Sequence, residues 1–103
     1  MQFVVFVTIV PKTPEQQKDI IQLLHDVRPA WLALPGSLSH DVGTAKGEDP
    51  LGTVYLTEIY SSPQGLDDFC KTSDHDRMKE RLMPIIDAEK LVITQVVTNG
   101  KSK

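Results

Sequence analysis

The chain predicts an α+β domain of the ferredoxin-like, split βαβ type. The expected element order is β-α-β-β-α-β: a four-stranded antiparallel sheet with both helices on one face, doubled into a dimeric α+β barrel. Three observations lead there. The first and last strands, Phe3-Val4-Val5-Phe6-Val7-Thr8-Ile9-Val10 and Leu91-Val92-Ile93-Thr94-Gln95-Val96-Val97, have almost no polar alternation, a composition that asks for cover on both sides. The 103 residues contain only enough helix to cover one face of a sheet. Between those strands the turn signals divide the chain into helix, two strands and helix in that order. The second sheet face therefore calls for another copy of the same chain, and a homodimer is expected.

Each element has its own signals. After the first strand, Thr13-Pro14-Glu15-Gln16 supplies a cap, a proline suited to the first helical position and the glutamine of a capping box. Ile20, Leu24, Val27 and Trp31 then recur at helical spacing, flanked by Ile21 and Leu23, so this helix turns one face to a core. Pro29 should bend or interrupt it and Leu34-Pro35-Gly36 should stop it. Residues 37–43 read as a weaker strand with Leu38, His40 and Val42 on one side and Ser37, Ser39 and Asp41 on the other. Gly43 to Gly52 is rich in turn formers, and Thr53 to Tyr60 has strong β propensity. Ser61-Ser62-Pro63 starts a short helix carrying Leu66, Phe69 and Cys70. Thr72-Ser73-Asp74 breaks it and starts a second piece, with Met78, Leu82, Ile85 and Ile86 at helical spacing over residues 77–86. Pro84 should loosen the last turn, and residues 99–103 read as a frayed tail.

Composition narrows the function classes. The size fits one domain spanning 1–103. A formal net charge of -3, from 11 Lys+Arg against 14 Asp+Glu with no basic run, argues against nucleic acid and anionic membranes as partners. With no long apolar run and no basic leader, the chain is read as soluble and cytoplasmic. The single Cys70 has no disulfide or CxxC companion and is expected to be a small buried hydrophobe. The three histidines fall at no metal-ligand spacing, and phosphate loops and nucleophile elbows are absent, so neither a metal nor another cofactor is expected.

The run Leu34-Pro35-Gly36-Ser37-Leu38-Ser39, the strand Tyr55-Leu56-Thr57-Glu58-Ile59-Tyr60, and then Gly65-Leu66, Phe69 and Ser73-Asp74-His75 resemble the antibiotic biosynthesis monooxygenase family. The resemblance covers nearly the whole domain in order and spacing. It implies the dimeric barrel fold and a pocket between sheet and helices within each protomer. It also implies a range of activities that includes oxygenases needing neither flavin nor metal. The haem-degrading branch is similar in layout but carries an Asn in the first strand and a Trp and a His on the second helix. Val7 and Phe69 occupy the corresponding places here, and Arg77 to Arg81 offers no matching His, which argues against haem degradation.

Within such a pocket Phe6, Trp31, Tyr60, Phe69 and Met78 are the expected substrate-binding walls, the alternative for each being plain core packing. His75, in the first turn of a helix between Asp74 and Asp76, is the leading candidate for a catalytic base. His40, on the apolar side of its strand, and Glu58, mid-strand among apolar neighbours, complete the candidate catalytic set. Glu58 is either a buried proton carrier or, at the dimer interface, the structural partner of an arginine such as Arg28 or Arg77. The expected activity is cofactor-independent oxidation of an electron-rich phenol, anthrone or hydroquinone by dioxygen. The alternatives are oxygen-independent isomerisation, cyclisation or decarboxylation in the same pocket, or a non-catalytic dimer that binds a small aromatic molecule.

Overall fold

A computed structural model describes residues 1–99. The strands are β1 (Phe3–Ile9), β2 (Ser37–Thr44), β3 (Val54–Tyr60) and β4 (Val92–Val97), and the helices are α1 (Gln17–Leu32), α2 (Pro63–Cys70) and α3 (Ser73–Leu82). The sheet is antiparallel throughout with order β2-β3-β1-β4, and the helices lie on one of its faces, as the turn signals and periodicities predict. Residues 100–103 of the expected frayed tail lie outside the described residues. No described helix is long and apolar enough to cross a membrane.

The local chemistry explains the boundaries. The chain enters α1 through a 3₁₀ turn at Pro14–Gln16, where the Gln16 side chain accepts a hydrogen bond from the Thr13 amide at 3.1 Å. Of the bend or interruption expected at Pro29, the interruption does not occur: helix α1 is continuous to Leu32. Loss of one backbone donor in the last turn is tolerated because Val27 and Trp31 on either side are anchored in the core. Thr72 caps α3 by accepting from the His75 amide at 3.2 Å, so α3 begins at Ser73 with His75 in its first turn, as the Thr72-Ser73-Asp74 cap signal predicts. The α-helix ends at Leu82, and Pro84 sits in a 3₁₀ turn over Met83–Ile85. Ile86 has already left the helix and bridges to Pro11.

On β1, Phe3, Val5, Val7 and Ile9 point into the core with Ile20, Leu24 and Trp31 of α1 and Leu56 and Tyr60 of β3. Phe6 points the other way and is 48 % exposed. Register places Thr57 opposite Phe6 on β3 and Thr94 opposite it on β4, so the bare face carries Phe6 with Tyr55, Val92 and Val96 as its exposed apolar residues. Strand β4 is an edge strand exposed along its length, because the helix layer leaves it uncovered.

Two expectations are corrected. The pairing of β2 with β3 slips between Ser37 and Ser39, so the extra residue Leu38 turns out, half exposed, while His40 stays in. The bulge separates the Leu38–His40–Val42 side that strict alternation predicts. Cys70 is exposed at the C-terminal end of α2, a short helix in which Gly65 and Phe69 are the buried residues and Leu66 packs against the core half-buried.

Candidate active site

The helices meet the sheet around an apolar cavity of about 300 Å³. Val5, Val7 and Ile9 of β1 and Leu56 of β3 form its sheet side, Leu66 and Phe69 of α2 and Met78 of α3 its helix side. On the β4 side Ile93 and Gln95 border it, and there the helix layer stops. An apolar chamber with few polar groups is the usual form of a small-molecule site.

The polar group inside is Glu58. It is only 4 % exposed, and its carboxylate accepts a short hydrogen bond from the Tyr60 hydroxyl. That hydroxyl in turn accepts from Trp31 Nε1 at 2.6 Å. The order of donors fixes the chemistry: the indole can only donate, so the phenol points its proton at Glu58, and Glu58 is held as an acceptor. Burial raises the Glu58 pKa from 4.5 to about 7, with the Tyr60 bond opposing the rise. Burial, followed by the neighbouring Glu58, pushes the Tyr60 phenol far above its usual range, so Tyr60 remains a donor. A carboxyl poised near neutrality in an apolar chamber is suited to exchange protons with a bound molecule.

The alternative of an arginine partner for Glu58 is overturned. Arg28 donates to the backbone carbonyl of His40 at 2.9 Å, and Arg77 pairs with Asp74 at 2.9 Å. Neither arginine borders the cavity, and Glu58 lies opposite Val5 on the helix side of the sheet, away from the bare face.

Tyr60 is placed by a close packing of backbone. A Cβ on Gly65 would lie 2.9 Å from Cδ1 of the Tyr60 ring and 3.0 Å from the Gly36 carbonyl oxygen. The first turn of α2, the start of β2 and the Tyr60 ring therefore fit only with hydrogen at position 65. This gives a physical reason for the small residue that opens α2.

Trp31 is held on both faces. Phe69 stacks on it with ring centroids 4.0 Å apart and planes 13° apart, and the His40 ring lies 4.2 Å from it. His40 is fully buried, and neither ring nitrogen has a hydrogen-bond partner among the described residues. Burial and then the nearby Arg28 charge lower its pKa from 6.5 to about 4, so it is a neutral ring that backs Trp31 and does not reach the cavity. His75 does reach it. Its imidazole meets Phe69 edge-on at 5.4 Å, and its Nδ1 has no hydrogen-bond partner among the described residues, Asp76 being 3.8 Å away.

Of the eight residues singled out from sequence, Glu58, His75, Trp31, Phe69 and Met78 border one cavity. Tyr60 and His40 do not border it; Tyr60 bonds to Glu58 and His40 packs on Trp31. Phe6 is corrected: it lies on the bare sheet face, because the alternation that buries Val5 and Val7 turns it away. Lys79, Cys70 and Gln95 border the cavity and were not anticipated. Lys79 was legible in principle, being four residues from His75 and three from Leu82 on one helical face. Partial burial, and then Glu58 and Asp67, push the Cys70 thiol above its ordinary pKa, which keeps it protonated. Among the described residues, no group of three or more His, Cys, Asp or Glu is placed to hold a metal ion.

Neither a family model nor a curated protein sequence matches the chain. Solved structures do match, over its full length. The Mycobacterium tuberculosis protein Rv0793 superposes with a TM-score of 0.83 at 16 % identity, covering 100 % of both chains. A Chloroflexus aurantiacus protein, provisionally named an antibiotic biosynthesis monooxygenase, superposes with a TM-score of 0.81 at 20 % identity, covering 100 % of this chain and 98 % of that one. A Caulobacter crescentus protein with the same provisional name gives 0.80 at 21 % identity, over 92 % and 87 % of the two chains. At these identities the likeness is one of fold, and the fold is the α+β ferredoxin-like arrangement that the sequence predicts.

Proposed function

We propose that the cavity oxidises a planar, electron-rich phenol, anthrone or hydroquinone with dioxygen, and that Glu58 is the base that starts the reaction. The observation that carries this reading is a nearly neutral-pKa carboxyl, held as an acceptor by Tyr60, in an apolar chamber walled by Phe69 and Trp31. The provisional names of the structural neighbours agree with it. Because Glu58 replaces His75 as the leading base, His75 becomes a wall residue that positions substrate against Phe69.

For a phenol the steps are these. Glu58 takes the hydroxyl proton, and desolvation in the chamber leaves the phenolate strongly reducing. The phenolate gives one electron to dioxygen, and the phenoxyl radical and superoxide recombine at a ring carbon. The protonated Glu58 returns its proton to the resulting peroxide. Glu58 then removes the proton from that ring carbon as the O–O bond breaks, and hydroxide leaves and takes that proton to become water. One oxygen atom ends as the new quinone carbonyl and the other as water, so phenol and dioxygen give quinone and water. The protein supplies proton transfer, orientation and exclusion of solvent.

In the same proposal a second copy of the chain covers the bare sheet face carrying Phe6, Tyr55, Val92 and Val96. The test of the reaction is oxygen consumption with a panel of anthrones, hydroquinones and phenols, comparing the protein with Glu58→Gln. Uptake that falls at least ~100-fold in the variant, within the range of a general-base contribution, is the expected result. Equal turnover of the same substrates without oxygen would replace this reading by an isomerase or decarboxylase. Ligand binding with no turnover would replace it by a binding protein.

A further inference from the structure

Helix α3 sends His75, Met78, Lys79 and Leu82 to the cavity. That spacing defines one helical face, and the other charged residues of α3, Asp74, Asp76, Arg77, Glu80 and Arg81, lie off it. A lysine on the inward stripe breaks the polar–apolar pattern of the helix. Nothing in the fold compensates for it: among the described residues the ion pairs of α3 join Arg77 to Asp74 and His75 to Asp76, and none involves Lys79. Lys79 borders the cavity and is exposed, whereas Glu58 is buried within it. Of the acids nearby, Glu58 and Asp67 act on Cys70 with Lys79, yet neither pairs with the lysine. The cavity is thus polarised, with a proton acceptor inside, apolar walls between, and a cation at the rim. Its volume of about 300 Å³ is at the lower end of the ~300–1,000 Å³ of small-molecule sites, which suits one or two fused rings better than three.

We infer that Lys79 is a specificity residue and that it reads a carboxylate on the outer edge of a one- or two-ring phenolic substrate whose hydroxyl faces Glu58. This rests on the reading of the cavity as the substrate site, and it narrows the substrate class to aromatic hydroxy acids. The carboxylate meets the cation where solvent hydrates both, and the rings bury their apolar faces against Phe69, Val5 and Leu56.

The test is equilibrium binding of 6-hydroxy-2-naphthoate and of its methyl ester, followed by quenching of Trp31, the one tryptophan of the chain. These compounds share the naphthol and differ only at the outer carboxyl, charged in the acid and neutral with an added methyl in the ester; binding is measured without turnover, so a failure of the oxygenase reading leaves the result interpretable. The acid is expected to bind about tenfold more tightly than the ester, the scale of one charge-assisted contact. Lys79→Met should bring the two within twofold without weakening the ester, and Lys79→Arg should keep the preference. Equal binding of acid and ester to the unaltered protein, a preference that persists in Lys79→Met, or no binding of either compound would overturn the inference. Preference for the acid without oxygen uptake by any hydroxy acid would uphold it and sink the oxygenase reading instead.

Discussion

Two buried titratable residues on neighbouring strands, Glu58 and His40, pull the stability of this protein in opposite directions with pH. They lie opposite each other in the β2–β3 register, yet meet different neighbours: Glu58 faces Tyr60, with His75, Lys79 and Cys70 around the cavity, and His40 faces Trp31, Arg28, Asp41 and His25. Glu58 rises from 4.5 to about 7, so between those values the folded chain holds a proton that the unfolded chain has released. Its contribution is fully present below pH 4.5 and is lost as pH rises through 7. His40 falls from 6.5 to about 4, so its contribution is fully present above pH 6.5 and is lost as pH falls through 4. Each shift corresponds to about 3 kcal/mol, and from about pH 4.5 to 6.5 the two nearly cancel. Glu58→Gln removes one side of the balance. Its stability relative to the unaltered protein should therefore improve by up to about 3 kcal/mol between pH 4.5 and 7.5, read from urea midpoints. A constant offset between the two proteins across that range would show that Glu58 is not perturbed. Sequence alone marked both residues as interesting because each breaks an apolar pattern. It did not show that Glu58 bonds to Tyr60, two positions along the same strand and on the same face, because the choice between Tyr60 and an arginine depends on where α1 lies.

At the scale of elements, strand and helix order was legible because turn chemistry and periodicity agree: the proline-led starts at Pro14 and Pro63, the stripe from Ile20 to Trp31, and the Thr72 cap all appear in the structure. What was illegible involves a choice between local rules. Pro29 signals a bend or an interruption, and packing of Trp31 keeps the helix uninterrupted. Leu38 belongs to the inward face by strict alternation, and the bulge moves it out. Phe6 was placed in the pocket because a strand apolar on both faces does not say which face meets the helices. Gly65 is the element-scale joint, since α2 can approach β3 and the start of β2 only there. Gly65→Ala should cost about 1–3 kcal/mol through overpacking against the Tyr60 ring and the Gly36 carbonyl, seen as a lower urea midpoint. A midpoint within experimental error of the unaltered protein would mean that the ring yields at no cost.

For the whole molecule, the helices cover one face of the sheet and leave Phe6, Tyr55, Val92 and Val96 on the other, while β4 lacks helix cover altogether. Apolar β4 and the bare face are the features from which a homodimer was expected, and they persist in the folded chain. Light scattering at low micromolar concentration should give twice the 11.5 kDa chain mass, and Phe6→Glu should shift the protein toward monomer. A folded monomer of the unaltered chain would refute the second copy. The fold was legible from the whole pattern of elements. The activity was not, because it rests on which side chains converge, and neighbours at 16 to 21 % identity share the frame without fixing the chemistry within it.

In the proposed oxidation a buried carboxyl with a pKa near neutrality takes the first proton, so the decisive measurement is the rate of oxygen uptake against pH, from 5 to 9, for the protein and for Glu58→Gln with the same phenolic acid. The rate should rise through about pH 7 to a plateau as Glu58 loses its proton, and the variant should show neither the rise nor the rate. A profile without that limb, or a folded Glu58→Gln protein that keeps its rate, would contradict the assignment of Glu58 as the base.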